Sequence, residues 1–372
     1  MRDIKRKIKS LLLIVAASLV LSGCQATQPD PENDQLDQHV IIDSLGREVI
    51  LKKQVSRVVA IGPGALRLYL YVDTPDKLVG IEQIEVDSHL GRPYNMANKE
   101  ILTSVPVIGP GGPNHQPDPE KLLTVQPDVV FSTYSDDKAM VENLQNRTGI
   151  PVVSLSYGVT GAFDETILEA LQIVGEVMGR QERSQSIAAY INQAKTDLNS
   201  RTETVEPTSR PKVYLGALSN RGIHGIQSTT GQYALFEATN VHNVVDETGH
   251  RGSLMIDKEQ LLVWQPEKVI IDLAGWDLVK RDIQNHPDFY KAIPAFEKGE
   301  VYGQLPFNYY HTNIDTALVN AYYIGSVVYP DQFLDIDPKE KADEIYEFLL
   351  GKKLYQDMVA DFGPLEPIRW EQ

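Results

Sequence analysis

The amino-acid sequence predicts an α/β fold of two β-α lobes with mainly parallel sheets, joined by one long interlobe helix. Three observations predict it. Short β-rich apolar runs alternate with helical stretches, which is the signature of β-α units on a parallel sheet. The alternation breaks once, from Phe163 to about Arg201. A twelve-residue phrase, EKLLTVQPDVVF at Glu120–Phe131, returns 139 positions later as EQLLVWQPEKVI at Glu259–Ile270. Stacked repeats recur every 20 to 50 residues or so, so this long period predicts two similar halves.

In chain order, the first 23 residues are expected to be a lipoprotein signal peptide. Five basic residues before position 10 precede the uncharged run LLLIVAASLVL, too short to span a bilayer comfortably. LSGC then places small residues before Cys24, the sole cysteine of 372 residues and the expected lipidation site. No internal disulfide is therefore possible, although export is expected. Residues 24–37 are low in hydrophobicity and are expected to form a flexible tether.

The N-terminal ligand-binding lobe is expected over 38–162. Its strands are RVVAI, LVGIE, VPVIG, DVVFS and PVVSL, each bounded by Gly, Pro or Asp. ALRLYLYV, DPEKLLTV and DKAMVENLQNRTG between them have apolar positions three or four apart. Residues 163–204 predict the connecting helix, with Ile167, Leu171, Val174, Met178, Ile187, Ile191, Ala194 and Leu198 at helical spacing and a bend allowed at Gly179. The C-terminal ligand-binding lobe, 205–372, resumes the alternation with KVYLGAL, NVHNVV, KVIIDLAG and GEVYGQL. Each copy of the repeated phrase predicts a short helix with its Leu-Leu pair packed inward, a Gln-Pro stop and a buried strand.

Removing residues 1–23 takes five basic residues from 35 and one acid from 51. That leaves 30 against 50, a formal charge of −20. This balance argues against nucleic acid or an anionic membrane surface as a partner. Catalysis is not expected: there is no G-x-S-x-G, no free cysteine beyond Cys24 and no metal-binding spacing of His, Cys or carboxylates. GPGGPNHQP lacks the lysine of a phosphate-binding loop.

Ligands of open α/β sheets bind beyond the carboxyl ends of the strands, so the loops there supply the candidates. They are Arg92 and Tyr94 in IEVDSHLGRPYNMAN, Tyr134, Tyr157, Arg221 and His224 in SNRGIHGIQS, Arg251 in GHRGSLM, and Trp276 in LAGWD. LPFNYYHTN is the most unusual stretch, because Phe307, Tyr309, Tyr310 and His311 gather four rings in one loop. Tyr322, Tyr323 and Tyr329 in the next helix are expected to pack. Phenol and imidazole groups could stack on a macrocycle, bond an oxyanion or ligate ferric iron, and the arginines suit an anion.

Several phrases in order resemble a known family, the substrate-binding proteins of ABC importers for ferric siderophores, haem and cobalamin. DSLGREVILKKQVSRVVAIGPGALRLYLYV is similar to its opening, with Asp-x-x-Gly-Arg in a hairpin before an Arg-Val-Val strand. PDPEKLLTVQPDVVF and IDKEQLLVWQPEKVI resemble its paired Glu-x-Leu-Leu phrases, and FYKAIPAFEKGEVYGQL its late helix-to-strand segment. The resemblance covers about residues 40 to 350. It implies a monomer that carries no cofactor, captures a metal chelate between lobes and hands it to a permease and its ATPase. It also implies that Glu120 and Glu259 face that permease. Molybdate, tungstate or a corrinoid remain open as the cargo, and the lipid on Cys24 implies attachment to the cell membrane.

Overall fold

A computed structural model describes residues 38–112, 115, 117–134, 138–158, 161–219 and 222–370. The strands are β1 (Gln38–Ile42), β2 (Glu48–Lys52), β3 (Val58–Ile61), β4 (Leu78–Glu82), β5 (Val107–Gly109), β6 (Val129–Ser132) and β7 (Val152–Ser154). After the connector come β8 (Lys212–Gly216), β9 (Ser228–Gly231), β10 (His242–Asn243), β11 (Gly252–Met255), β12 (Lys268–Asp272) and β13 (Val301–Gln304).

The first sheet has the order β5-β4-β3-β6-β7 and the second β10-β8-β12-β13, with all their pairs parallel. Every residue of β3 and β6 is buried because both faces of the sheet are covered. Alternate residues then serve different cores. Val59, Ile61, Val130 and Val152 pack in an outer core, and Tyr214, Val269, Ile271 and Val301 in its counterpart on the second sheet. Val58, Ala60, Phe131, Val213, Leu215 and Ile270 face one continuous core shared by both sheets. From Val40 onward the chain forms a single compact unit around it.

The stretch expected as one connecting helix divides at Gly179. The helix Glu165–Met178 ends there because Gly179 takes φ 65°, which a glycine adopts without a Cβ penalty. The helix Gln181–Thr202 is the longer of the two, and it packs back on its predecessor where Ser184 lies against Gly175. Other expectations also need correction. IEVDSHLGRPYNMAN is not a long loop but two helices, Gln83–Asp87 and Pro93–Leu102. NVHNVV forms strand only at His242–Asn243 before a 3-10 turn. The Leu-Leu pairs are split, because a short helix turns only one of two adjacent residues inward: Leu122 and Leu261 are buried, whereas Leu123 and Leu262 are 47% and 37% exposed.

The repeat itself has a common geometry. Gln126 and Gln265 end their helices at φ 44° and 49°, and Pro127 and Pro266 follow. Asp128 and Glu267 then bond the neighbouring strand in the same way. Asp128 N donates to Arg57 O at 2.8 Å while its carboxylate accepts from Arg57 N at 3.0 Å; Glu267 does the same with Lys212 at 2.8 and 2.9 Å. At the chain's start, Asp43 closes the β1-β2 hairpin by accepting from Leu45 N, Arg47 N and the Arg47 guanidinium, and from Ser154 N on the first sheet.

Candidate functional site

The carboxyl ends of both sheets meet around one loop. Chain order reverses between β3 and β6 in the first sheet and between β8 and β12 in the second, so the crevices lie beside Gly62, Tyr134 and Asp272. Between β13 and the helix Ile314–Val328, residues 305–313 of the second half lie across the first. Arg67, in the otherwise apolar helix Ala65–Val72, is fully buried and holds that loop. It donates to Asn313 Oδ1 at 2.9 Å, Thr312 O at 2.8 Å, Tyr309 O at 2.9 Å, Tyr310 O at 3.1 Å and the Tyr157 hydroxyl at 3.1 Å. All five guanidinium hydrogens are thereby used. Its face lies 4.7 Å from the centre of the Tyr94 ring.

A second focus is Glu82, at the end of β4 and 1% exposed. Its carboxylate accepts from the Tyr310 hydroxyl at 2.8 Å, Gly62 N at 3.0 Å and the Tyr134 hydroxyl at 3.2 Å. Burial pushes this carboxyl up to about 7 despite the opposing hydrogen bonds from Tyr310 and Gly62. Glu85 gathers the next layer: Arg92 Nη1 at 3.1 Å, the Tyr94 hydroxyl at 2.7 Å and Asn95 Nδ2 at 3.0 Å.

Seven of the expected residues therefore belong to one interlobe network. Arg92 is buried against Glu85, with its guanidinium 5.7 Å from the Tyr310 ring centre. Tyr94 is fully buried, and Tyr157 is buried with its hydroxyl 3.0 Å from Gly64 O. The His311 ring lies tilted against Tyr157 with ring centres 4.1 Å apart, and its Nδ1 accepts from Thr312 N. Burial of its ring and the Arg67 cation push that imidazole down to about 4, though the residue as a whole is exposed. Tyr309 covers Gly91, whose φ of 64° and lack of a Cβ admit the ring. Tyr134 and Tyr310 meet at Glu82. Phe307 is buried, and Tyr322, Tyr323 and Tyr329 pack in the core as expected.

The remaining expected residues lie elsewhere. Trp276 packs against the outer core of the second sheet, and the His224 carbonyl lies where a Cβ on Gly275 would stand. Arg221 and Cys24 lie outside the described residues. Arg251 is exposed and lines a pocket of about 500 Å³ with Gly161, Tyr233, Ser253, Phe307 and Thr312. The far face of the tyrosine-rich loop thus forms one wall of this pocket. Among the described residues no cluster of three His, Cys, Asp or Glu could hold a metal ion, and no helix is long and apolar enough to cross a membrane.

Sequence reasoning missed Arg67, Glu82, Glu85, Asp272 and Asp315. A lone cation inside ALRLYLYV was a usable signal, since a charge on an all-apolar helix must be buried with partners. Glu82 and Asp272 close β4 and β12, where the strand-end rule points. Burial pushes Asp272 up to about 7 as well.

Comparison with known proteins bears on the family and the fold. The family model described as periplasmic binding protein matches residues 58–306. The chain belongs to the periplasmic binding protein family. This is a family of substrate-binding transporter components rather than of enzymes, and the present binding protein accordingly takes a small-molecule ligand and works with an ABC permease. It is similar to an uncharacterized ABC transporter substrate-binding lipoprotein of Bacillus subtilis, YvrC, with 19% identity over 79% of this chain and 88% of that one. A periplasmic solute-binding protein from Veillonella parvula shares its fold at a TM-score of 0.67 and 18% identity, covering 87% of this chain and 96% of that one. The molybdate-binding protein MolA of Haemophilus influenzae does so at 0.65 and 19%, covering 85% and 98%.

Proposed function

We propose that this binding protein captures an iron chelate, such as a siderophore or haem, in the pocket between its two lobes and delivers it to the permease. The pocket carries the reading. Its volume of about 500 Å³ is in the range that organic ligands occupy, whereas a tetrahedral oxyanion needs far less. Its walls combine Tyr233, Phe307, Leu218 and Leu235 with the polar Thr230, Ser253, Asn308 and Thr312, one cation, Arg251, and one carboxylate, Glu237. Arg67 and Arg92 are engaged within the protein, so Arg251 is the described candidate best placed to meet an anionic chelate. The protein is held at the membrane through lipidated Cys24, as the lipoprotein relative supports.

Delivery uses Glu120 and Glu259. Both are exposed near the start of the repeated helices, Glu120 in the first turn of Pro119–Val125 and Glu259 at the N-cap of Gln260–Trp264, where the helix dipole favours a carboxylate. A thermal-shift screen of the chain from Gln38 against ferric siderophores, haem, corrinoids, molybdate and tungstate tests the cargo. A ligand at a hundredfold excess over its Kd adds about 2.7 kcal/mol of stability. A shift with an iron chelate is expected. A shift with molybdate or tungstate alone would keep the importer role and replace the chelate.

A further inference from the structure

We propose that the niche formed by Glu82, Tyr134 and the Gly62 and Gly112 amides is a subsite that reads a hydroxyl group, and that Tyr310 is its built-in competitor. This rests on the importer reading and adds a chemical class to it: a ligand carrying a neutral phenol or alcohol.

Three observations carry it. The niche lies at the carboxyl ends of β3, β4, β5 and β6, where this topology binds ligands. The group that fills it comes from the opposite half of the protein, 228 positions from Glu82. Its contacts match a hydroxyl on both counts: the Tyr310 oxygen lies 2.8 Å from the Glu82 carboxylate and accepts from Gly112 N at 2.8 Å. An anion would meet the Glu82 carboxylate, and a plain hydrocarbon would leave the Gly112 amide unpaired and Glu82 with two of its three hydrogen bonds.

The loop that delivers the phenol is also under strain. Tyr310 and His311 are consecutive non-glycine residues at φ 52° and 75°. Left-handed backbone costs about 1–2 kcal/mol per such residue. Arg67 holds the loop by three carbonyls, Tyr309, Tyr310 and Thr312. Withdrawal of the phenol would release that strain and open the niche towards solvent, because the Tyr310 side chain is only half-buried. A hydroxyl-bearing ligand entering from the cleft would take over its two hydrogen bonds.

Chemical rescue tests the proposal without any transported solute. Glycine suits φ 52°, so Tyr310→Gly removes the side chain without adding backbone strain. Millimolar phenol is expected to raise the melting temperature of Tyr310→Gly by about 2 °C or more, as binding to the folded state alone requires. Wild type should not respond, benzene should act less than phenol, and Glu82→Gln in the Tyr310→Gly background should lose the effect. Equal shifts in wild type and Tyr310→Gly, or none in either, overturn the proposal. If Tyr310→Gly is unfolded alone, recovery of its near-ultraviolet circular dichroism on adding phenol is the same test, and no recovery overturns it. Failure here leaves the ligand screen and the importer reading untouched.

Discussion

Arg67 shows how much one buried side chain can organise. Its five hydrogen bonds join the first half to three backbone carbonyls of the second, and buried Asp315 supplies negative charge nearby, itself bonded by the Tyr71 hydroxyl at 2.8 Å. Arg67→Met would leave those acceptors unpaired, and we expect a loss of about 3–5 kcal/mol in urea unfolding. Arg67→Lys should also fail, since an ammonium cannot fill five fixed positions. A loss under about 1 kcal/mol in both would contradict the keystone role.

The same network makes stability depend on pH. Burial holds Glu82 and Asp272 near 7, above their unfolded values, with Glu85 adding negative charge beside Glu82. A raised folded pKa contributes stability below the unfolded pKa, and that contribution is lost as pH rises through about 7. His311 has the opposite sign: held down to about 4, it costs stability only as pH falls below its ordinary 6.5. Between about pH 6.5 and 7.5, therefore, stability should fall with rising pH and then level off, and Glu82→Gln should reduce that slope to the share of Asp272. An unchanged slope in Glu82→Gln, followed by thermal unfolding, would remove Glu82 as the source.

At the scale of elements, the repeated helix-Pro-strand unit is where sequence and structure agree best. Asp128, buried and accepting from Ser56 N, Arg57 N and Lys52, should cost about 1–3 kcal/mol as Asp128→Ala. Exposed Glu267 makes the equivalent bond, yet Glu267→Ala should cost less than about 1 kcal/mol in the same denaturation assay. Equal losses would mean that burial does not set the difference. The parallel strands were legible because both sheet faces are covered and each strand reads as an apolar run. The antiparallel pair β9-β11 was not. Its Ser228 and Thr229 are buried by satisfying their hydroxyls on Leu218 O and Leu215 O, both at 2.6 Å, which leaves no apolar pattern to read.

Of the candidate site, the gathering of rings in LPFNYYHTN was legible, but the surface they face was not. That surface is built by Arg67, Glu82 and Gly91, more than 200 positions away, and a single sequence carries no register between such distant segments. Arg251 stood out as a loop cation, yet its pocket partners Tyr233 and Leu235 read as ordinary core residues.

For the whole molecule, a single core running through both sheets and the helix Gln181–Thr202 means that the halves cannot separate far without exposing it. Capture should therefore involve little closure, with any larger movement confined to the strained loop. The docking claim is tested in cells: Glu120→Arg with Glu259→Arg should abolish uptake while ligand affinity stays intact, and wild-type uptake would remove both residues from delivery. Cargo is proposed to sit in the pocket beside Arg251. The most direct test is the affinity, by titration calorimetry, of the tightest ligand from the screen for wild type, Arg251→Ala and Ser253→Trp. At least tenfold weaker binding is expected in both folded variants, as loss of a charged contact or a filled pocket each cost about 1.4 kcal/mol or more. Affinities equal to wild type in both would place the ligand elsewhere.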